Sequence, residues 1–355
     1  MALRYVFSVP IGPGKQPRLA QTLASLQAQP FEVRVAICHA GPEEEIAEAL
    51  APFRHLIAYE RHAEDAGQSA AINEGWLALE GDVYGWLNAD DALAPNALSQ
   101  VNDLFSAHAP VDVVCGQSIT LDAHDHFTGL HPAVRMPDND LFRSNTISQP
   151  SCFVRREALF AQNLIREDLH YVMDWDLWVR LMSAGRQFVF TPSVLSSTLW
   201  DTDTKTAKFN LTRINEIRGV VMRLNSPVTT AKTLIGHMIN KIEEYSPISF
   251  AFKHAKGLLE SGAIRKSAFW GTKNNMASSL WSIDLFHYNA CSARGFRFHF
   301  HTDSQRRLSL DGVDLPEQSG VTADILTEIL PARAYRISIQ LPRNGSLSLN
   351  YIELL

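Results

Sequence analysis

Between Leu3 and Cys115 short apolar runs alternate with helix-spaced segments, and this alternation confines the chain to an α/β fold on a largely parallel sheet. Leu3–Val9, Val33–Cys38, His55–Tyr59, Val83–Leu87 and Val111–Cys115 read as strands. Between them, Arg18–Gln29 sets Leu19, Leu23 and Leu26 on one helical face. Glu43–Leu50 opens with acidic residues, which suits the positive end of a helix dipole. Ser69–Leu79 and Pro95–Phe105 are further helices, the second with proline in its first turn. Residues 116–150 read as irregular, and Glu157–Ala161 and Asp174–Ala184 as helical.

Past Lys205 the pattern changes. Leu211, Ile214, Ile217 and Val221 recur at helix spacing, so residues 207–285 are expected to be mainly helical. From Arg294 it changes again: Phe296, Phe298 and Phe300 alternate with polar residues, the period of a half-buried strand. Leu308–Leu310 before Asp311-Gly312, then Tyr335 to Leu341, then Asn344-Gly345 before Ser346–Leu354, read as strands and turns. The expected organisation is an α/β domain over 1–206, a helical region over 207–285 and a small all-β module over 286–355.

Composition excludes several classes. With 46% apolar and 20% charged residues the chain is globular rather than disordered. A net charge of −6 argues against a nucleic-acid partner, which calls for a basic surface. Cys38, Cys115, Cys152 and Cys291 lack C-x-x-C spacing, so neither a zinc site nor a disulfide framework is indicated and a reducing cytoplasm is expected. No secretory leader and no membrane-spanning run is legible, while peripheral contact with the inner face of a membrane stays compatible.

The most informative segment is Trp86-Leu-Asn-Ala-Asp-Asp91, where a strand delivers oxygen side chains at its carboxyl end, the place where open α/β sheets bind ligands. Asp90 and Asp91 are hard donors suited to Mg²⁺ or Mn²⁺; alone, the same residues also read as a turn and helix cap. Upstream lie Asp65-Ala-Gly-Gln68, then Asn73 and Gly75 on a helix, then Gly81-Asp82. In this order, the block resembles the centre of the family 2 glycosyltransferases, whose fold is the Rossmann-like GT-A nucleotide-sugar-binding domain. The helix starting near Gly67 offers N–H groups to a diphosphate or to sugar hydroxyls. The resemblance covers roughly residues 3–206. It implies a donor set of Pro10, His39, Asp65, Gln68, Asn73, Asn88, Asp90 and Lys205, with Asp90, Asp91 and Asp201 at the metal.

A second constellation, Met173-Asp-Trp-Asp-Leu-Trp178, follows Ile147-Ser-Gln-Pro150. In the resembling family a Gln-Pro segment leads to an acidic pair followed by Leu-Trp, and the first carboxylate is the catalytic base. Carried over, Asp174 deprotonates the acceptor hydroxyl, while Asp176, Trp178 and Gln149 shape the acceptor pocket. Read without the resemblance, Asp174 caps its helix and the tryptophans are core. The resemblance implies an inverting, divalent-cation-dependent sugar transferase using a UDP-, dTDP- or GDP-sugar. Its acceptor is a glycan, a lipid-linked saccharide or a protein, as in bacterial surface polysaccharide synthesis. A non-catalytic binding module and a nucleotidyltransferase are the alternatives.

Three positions depart from the family pattern. His39 stands where an aspartate usually holds the nucleotide base, and Asn88 opens the Asp-x-Asp-type motif. Asp201 stands where a histidine is expected; it reads equally as a metal ligand or a surface carboxylate, and Lys205 as a diphosphate contact or a solvated side chain. Weaker features are a basic stretch over 253–273, which reads as a solvated helix face or a membrane-facing patch, and His124, His126 and His131 beside Asp122 and Asp125, which match no tight ligand spacing.

Overall fold

The computed structural model describes residues 3–107, 110–121, 127–131, 141–142, 145–199, 210–245, 280–287, 295–300, 307–310, 313–316, 320, 322–326, 333–340 and 349–354. In chain order the first strands and helices are β1 (Tyr5–Ile11), α1 (Leu19–Gln27), β2 (Val33–His39), α2 (Ala47–Leu50), β3 (Ile57–His62), α3 (Gln68–Ala78), β4 (Val83–Trp86), β5 (Ala92–Leu93) and α4 (Ala97–Ala107). They continue with β6 (Val113–Leu121), β7 (Phe127–His131), β8 (Cys152–Arg155), α5 (Arg156–Ala161), α6 (Met173–Ser183) and β9 (Phe188–Leu199).

These strands form one nine-stranded sheet in the order β3-β2-β1-β4-β8-β6-β9-β5, with β7 hairpinned onto β6. Strands β3, β2, β1 and β4 are mutually parallel, as are β6 and β9, but β8 runs antiparallel between β4 and β6 and β5 runs antiparallel to β9. The sheet is therefore mixed where the sequence suggested a largely parallel one. β8 and β9 follow short helices and carry little alternation, and β5 is two residues long, so none of the three stood out as a strand. The stretch expected to be irregular from 116 instead continues β6 to Leu121 and returns as β7. The helix expected over 43–50 divides into a 3₁₀ turn at 43–45, α2, and a second 3₁₀ turn at 51–53.

All seven residues of β1 are buried, because helices cover both faces of the sheet. Tyr5, Phe7, Val9 and Ile11 enter one core with Leu19, Leu23 and Leu26 of α1 and Leu98, Val101 and Phe105 of α4. Val6 enters the other with Trp76, Tyr84, Trp86, Trp175 and Trp178. Helix α3 approaches β1 closely at Gly75, where a Cβ would come within 2.4 Å of Ser8 Oγ. The parallel strands thus bring the segments after Ile11, His39, His62 and Trp86 to one edge, above the start of α3.

Beyond residue 206, α7 (Leu211–Met222) and α8 (Pro227–Tyr245) fall in the region expected to be helical. Ile217, Val220 and Val221 are buried, while Leu211 is 77% exposed. The remaining strands are β10 (Leu280–His287), β11 (Gly295–Phe300), β12 (Arg307–Leu310), β13 (Val313–Asp314), β14 (Thr322–Leu326), β15 (Arg333–Gln340) and β16 (Leu349–Leu354). They pair antiparallel in the orders β10-β15-β12-β13 and β14-β11-β16. β10 lies across the boundary expected between 285 and 286. No helix among the described residues is long and apolar enough to cross a membrane. Asp201, Lys205, His124, His126, Asp311-Gly312, Asn344-Gly345 and the basic stretch 253–273 lie outside the described residues.

Candidate active site

The chain leaves β4 and turns at once. Asp91 N–H donates to Asn88 O at 3.1 Å, and the Asn88 amide donates to Asp91 Oδ2 at 2.9 Å. Gln68, the first residue of α3, donates from Nε2 to Asn88 Oδ1 at 2.8 Å. Asn88 is thus a link in a chain from Gln68 to Asp91, and an aspartate there would set two carboxylates side by side. Asp91 is 2% exposed and also accepts from the Thr198 hydroxyl of β9. Burial first, then the neighbouring Asp90 charge, pushes its carboxyl up to about 7. Asp90 is half-buried, and no side chain among the described residues hydrogen-bonds it. Burial raises its carboxyl too, against its own backbone N–H and the Arg18 guanidinium. The two aspartates expected to act together at a metal are therefore unlike: Asp91 is buried and bonded into the turn, and Asp90 is half-buried with no side-chain hydrogen bond among the described residues.

Gly67, with φ of +114°, lets the chain turn into α3 in a conformation that side-chain-bearing residues rarely adopt. Asp65 closes that turn: its Oδ1 accepts the Gly67 N–H at 2.9 Å and its Oδ2 the Arg61 guanidinium at 3.0 Å. Arg61 also bonds Glu74 and the His39 carbonyl, tying β2, β3 and α3 together. Asn73, expected at the donor, turns to the scaffold instead. Its Nδ2 donates to Ile165 O at 2.8 Å and Glu167 Oε1 at 2.9 Å, and its Oδ1 accepts Ile165 N–H at 3.1 Å. These bonds engage both ends of the amide in holding the loop before α6. Pro10 lies buried within β1, paired with Cys38.

His39 is completely buried at the end of β2, edge-on to His62 of β3, with their Nδ1 atoms 3.3 Å apart. Its Nε2 stands 3.3 Å from Glu45 Oε2, the oxygen that also accepts the Gly14 N–H at 2.6 Å. Burial, then the neighbouring His62, lowers the His39 pKa, with Glu45 opposing. His39 therefore replaces a carboxylate with a neutral ring that connects the loop after β1 to β3. Glu43, Glu60 and His62 converge closely enough to hold a metal ion, but Arg54 already pairs with both carboxylates.

The second constellation heads α6. Asp174, in its first turn, is half-buried and accepts Asn145 Nδ2 at 2.8 Å and the Trp175 N–H. Burial raises its carboxyl; these donors, with Arg213 of α7, oppose the rise. Asp176 and Trp178, expected to shape an acceptor pocket, are both buried in the scaffold. Asp176 is fully buried in an ion-pair cluster, 2.7 Å from both Arg180 Nε and Arg223 Nη1 and 3.8 Å from Arg166. Trp178 is fully buried and stacked on Trp86 at 5.8 Å. Two positions along a helix turn a side chain through about 200°, so Asp176 faces inward where Asp174 is only half-buried.

Gln149 donates to Trp86 O at 2.7 Å, joining the Gln-Pro turn to the strand that carries the aspartates. Around that turn four buried serine hydroxyls cluster: Ser118 lies 2.6 Å from Ser148, 2.8 Å from Ser151 and 2.6 Å from Ser196. Ser151 also meets Ser196 at 2.6 Å and donates to Gln117 O at 2.7 Å. Asn145, Thr198, Arg61 and Glu216 are the site-supporting residues that the sequence reading missed. A lone glutamate beside the apolar stripe of α7 was the one legible sign among them.

The mixed sheet, with parallel strands β3, β2, β1 and β4 and helices on both faces, is the GT-A architecture. It is shared with a crystal structure of S. aureus TarS residues 1–349 in complex with UDP-GlcNAc, with a TM-score of 0.51 and 12% identity, covering 72% of this chain and 79% of that one. Residues 14–163 match the family model described as Glycosyl transferase family 2. The chain is 33% identical over 142 residues to the O-antigen biosynthesis protein RfbC of Myxococcus xanthus, covering 39% of this chain and 11% of that protein. It is 25% identical over 191 residues to the amylovoran biosynthesis glycosyltransferase AmsE of Erwinia amylovora, covering 51% and 70%. The chain carries a family 2 glycosyltransferase domain of the GT-A fold, although it spans only about a tenth of the first of these relatives.

Proposed function

We propose that this protein transfers a sugar, with inversion, from a nucleoside diphosphate donor to a hydroxyl of a saccharide, lipid-linked or protein acceptor. The observation that carries this reading is Asp174: a half-buried carboxylate at a helix head, held by Asn145 at 2.8 Å. Held in that way, it can accept the proton of the attacking hydroxyl as the bond to the anomeric carbon forms. No second carboxylate is proposed as a nucleophile, so the reading is a single displacement. Gln68 and Asn88 place the turn against which the diphosphate rests, and α3 presents its N-terminus there.

The donor set fits a divalent cation. Asp90 is a hard oxygen ligand without a bonded side-chain partner among the described residues, and its raised carboxyl gains from a neighbouring positive charge. Asp90 would hold Mg²⁺ or Mn²⁺, which when bound would offset the charge of the departing nucleoside diphosphate. The relatives named for O-antigen and amylovoran biosynthesis favour a surface-polysaccharide acceptor, and the proposed place of the reaction is the cytoplasm, at the membrane's inner face. The UDP-GlcNAc bound by TarS makes UDP-sugars the first donors to try. We assign residues 1–206 to the GT-A domain, with the helical region and the β-rich module following it.

The test is a panel of UDP-, dTDP- and GDP-sugars with Mn²⁺, reading nucleoside diphosphate release in the wild type and in Asp174→Asn. Release that the substitution abolishes supports the assignment. Release that persists in Asp174→Asn removes the base, and pyrophosphate in place of nucleoside diphosphate moves the protein to the nucleotidyltransferases.

A further inference from the structure

Asp174 lies eleven residues beyond the part of the chain that matches the family model, and what fixes its helix lies further on still. The turn entering α6 exposes the backbone N–H groups of His170, Tyr171 and Val172. Val172, at the helix N-cap, supplies no side-chain cap. All three are taken by one carboxylate from α7: Glu216 Oε1 accepts His170 N–H at 2.9 Å, and Oε2 accepts those of Tyr171 and Val172 at 2.8 and 3.2 Å. Glu216 is only 9% exposed, so these bonds form largely away from water.

About two turns further along the same face of α7, Arg223 reaches Asp176 at 2.7 Å. Ile217, Val220 and Val221 fill the space between the two contacts with buried apolar surface. At the start of α7, Asn210 donates to the Tyr171 hydroxyl at 2.5 Å. From the other side Ser69 of α3 donates to Leu169 O at 2.9 Å, so the turn is held between the donor-side helix and α7.

We propose that Glu216 is a positioning residue for the transfer reaction, and that α7 belongs to the catalytic unit rather than to an appended region. This rests on the reading of Asp174 as the base. A base must meet the acceptor hydroxyl at hydrogen-bond distance, and an ångström of displacement costs on the order of 100-fold in rate. The turn from 170 to 172 sets where α6 begins and therefore where Asp174 stands. The residues proposed for the donor, Gln68, Asn88 and Asp90, stand on other elements, and none of them bonds Glu216.

Glu216→Gln is nearly isosteric but sets an NH₂ group against at least one of the three N–H donors. It is expected to lower kcat roughly 10- to 100-fold while the donor KM and the dissociation constant for UDP stay within about twofold. Hydrogen exchange at the amides of residues 170–172 should quicken at least tenfold, with the strands β1, β2 and β4 unchanged. Arg223→Met should shift kcat in the same direction by less, because Arg180 still pairs with Asp176. Glu216→Gln added to Asp174→Asn should lower the residual rate no further.

Wild-type kcat in Glu216→Gln, where Asp174→Asn is inactive, overturns the proposal. So does a parallel loss of UDP affinity with faster exchange throughout the sheet, which reports general destabilisation. Turnover that survives Asp174→Asn defeats the reading of the base instead, and the amide exchange then still reports whether Glu216 holds the turn.

Discussion

Asp91 is a carboxyl placed where its charge is unfavourable, and removing that charge should make the protein more stable. It is 2% exposed, lies beside Asp90, and titrates at about 7 rather than near the usual carboxylate value. A carboxyl whose pKa is raised on folding contributes stability that is complete below the unfolded value and is lost as pH rises through the folded one. For a shift from about 3.9 to about 7 that loss is about 2 kcal/mol at pH 5.5 and about 4 kcal/mol at pH 8, as an order of magnitude for a pair that titrates together. Asn at this position keeps an oxygen for the Asn88 and Thr198 donors without the charge. In metal-free protein, urea unfolding of wild type and Asp91→Asn should therefore show a gap favouring the variant that widens by about 2 kcal/mol between pH 5.5 and 8. A gap that is constant across this range, or a variant less stable at pH 8, would refute the argument that buried charge is the cause.

Three further outcomes follow from the same geometry. Asn145→Leu removes a donor that favours ionised Asp174, so the acid limb of the pH–kcat profile should move to higher pH, with the smallest rate loss at alkaline pH; an unmoved limb counts against the contact. The lowered pKa of His39 means that its contribution to stability is present above about 6.5 and lost as pH falls below that value, so His39→Gln should flatten thermal stability between pH 6.5 and 5. Trp178→Ala should cost roughly 3–5 kcal/mol in chemical denaturation, and in protein that still folds it should leave acceptor preference unchanged, because the ring is core.

What was legible in the sequence follows how locally each feature is determined. β1, β2 and β4 are continuous apolar runs covered on both faces, and α1 and α6 carry clear helical stripes, so pattern alone located them. β5, β8 and β9 exist because of pairing with distant strands, which no window of sequence contains. The site divides in the same way. Asp90 and Asp174 stand at the ends of elements that the sequence predicts, and both are half-buried. Asn73, Asp176 and Trp178 belong to the same motifs, yet they face the scaffold, because side-chain direction depends on the phase of the helix against neighbours that motif spacing does not specify. Asn145 and Glu216 came from stretches with no motif at all; each acquires its role only when a segment distant in the chain folds against α6.

The serine cluster under the Gln-Pro turn sets a problem in counting protons. Four hydroxyls have four protons to give, while the cluster contains four oxygen–oxygen contacts and a fifth to the Gln117 carbonyl. Ser151 must spend its proton on that carbonyl, so the triangle of Ser118, Ser151 and Ser196 is always one proton short. The vacancy can lie on different edges, much as orientations do in ice, and the turn bearing Gln149 rests on a socket with more than one proton order. Deleting the Ser196 hydroxyl takes away one proton and two contacts, leaving three protons for three contacts in a single order. A hydroxyl removed there would exchange a degenerate network for a determinate one.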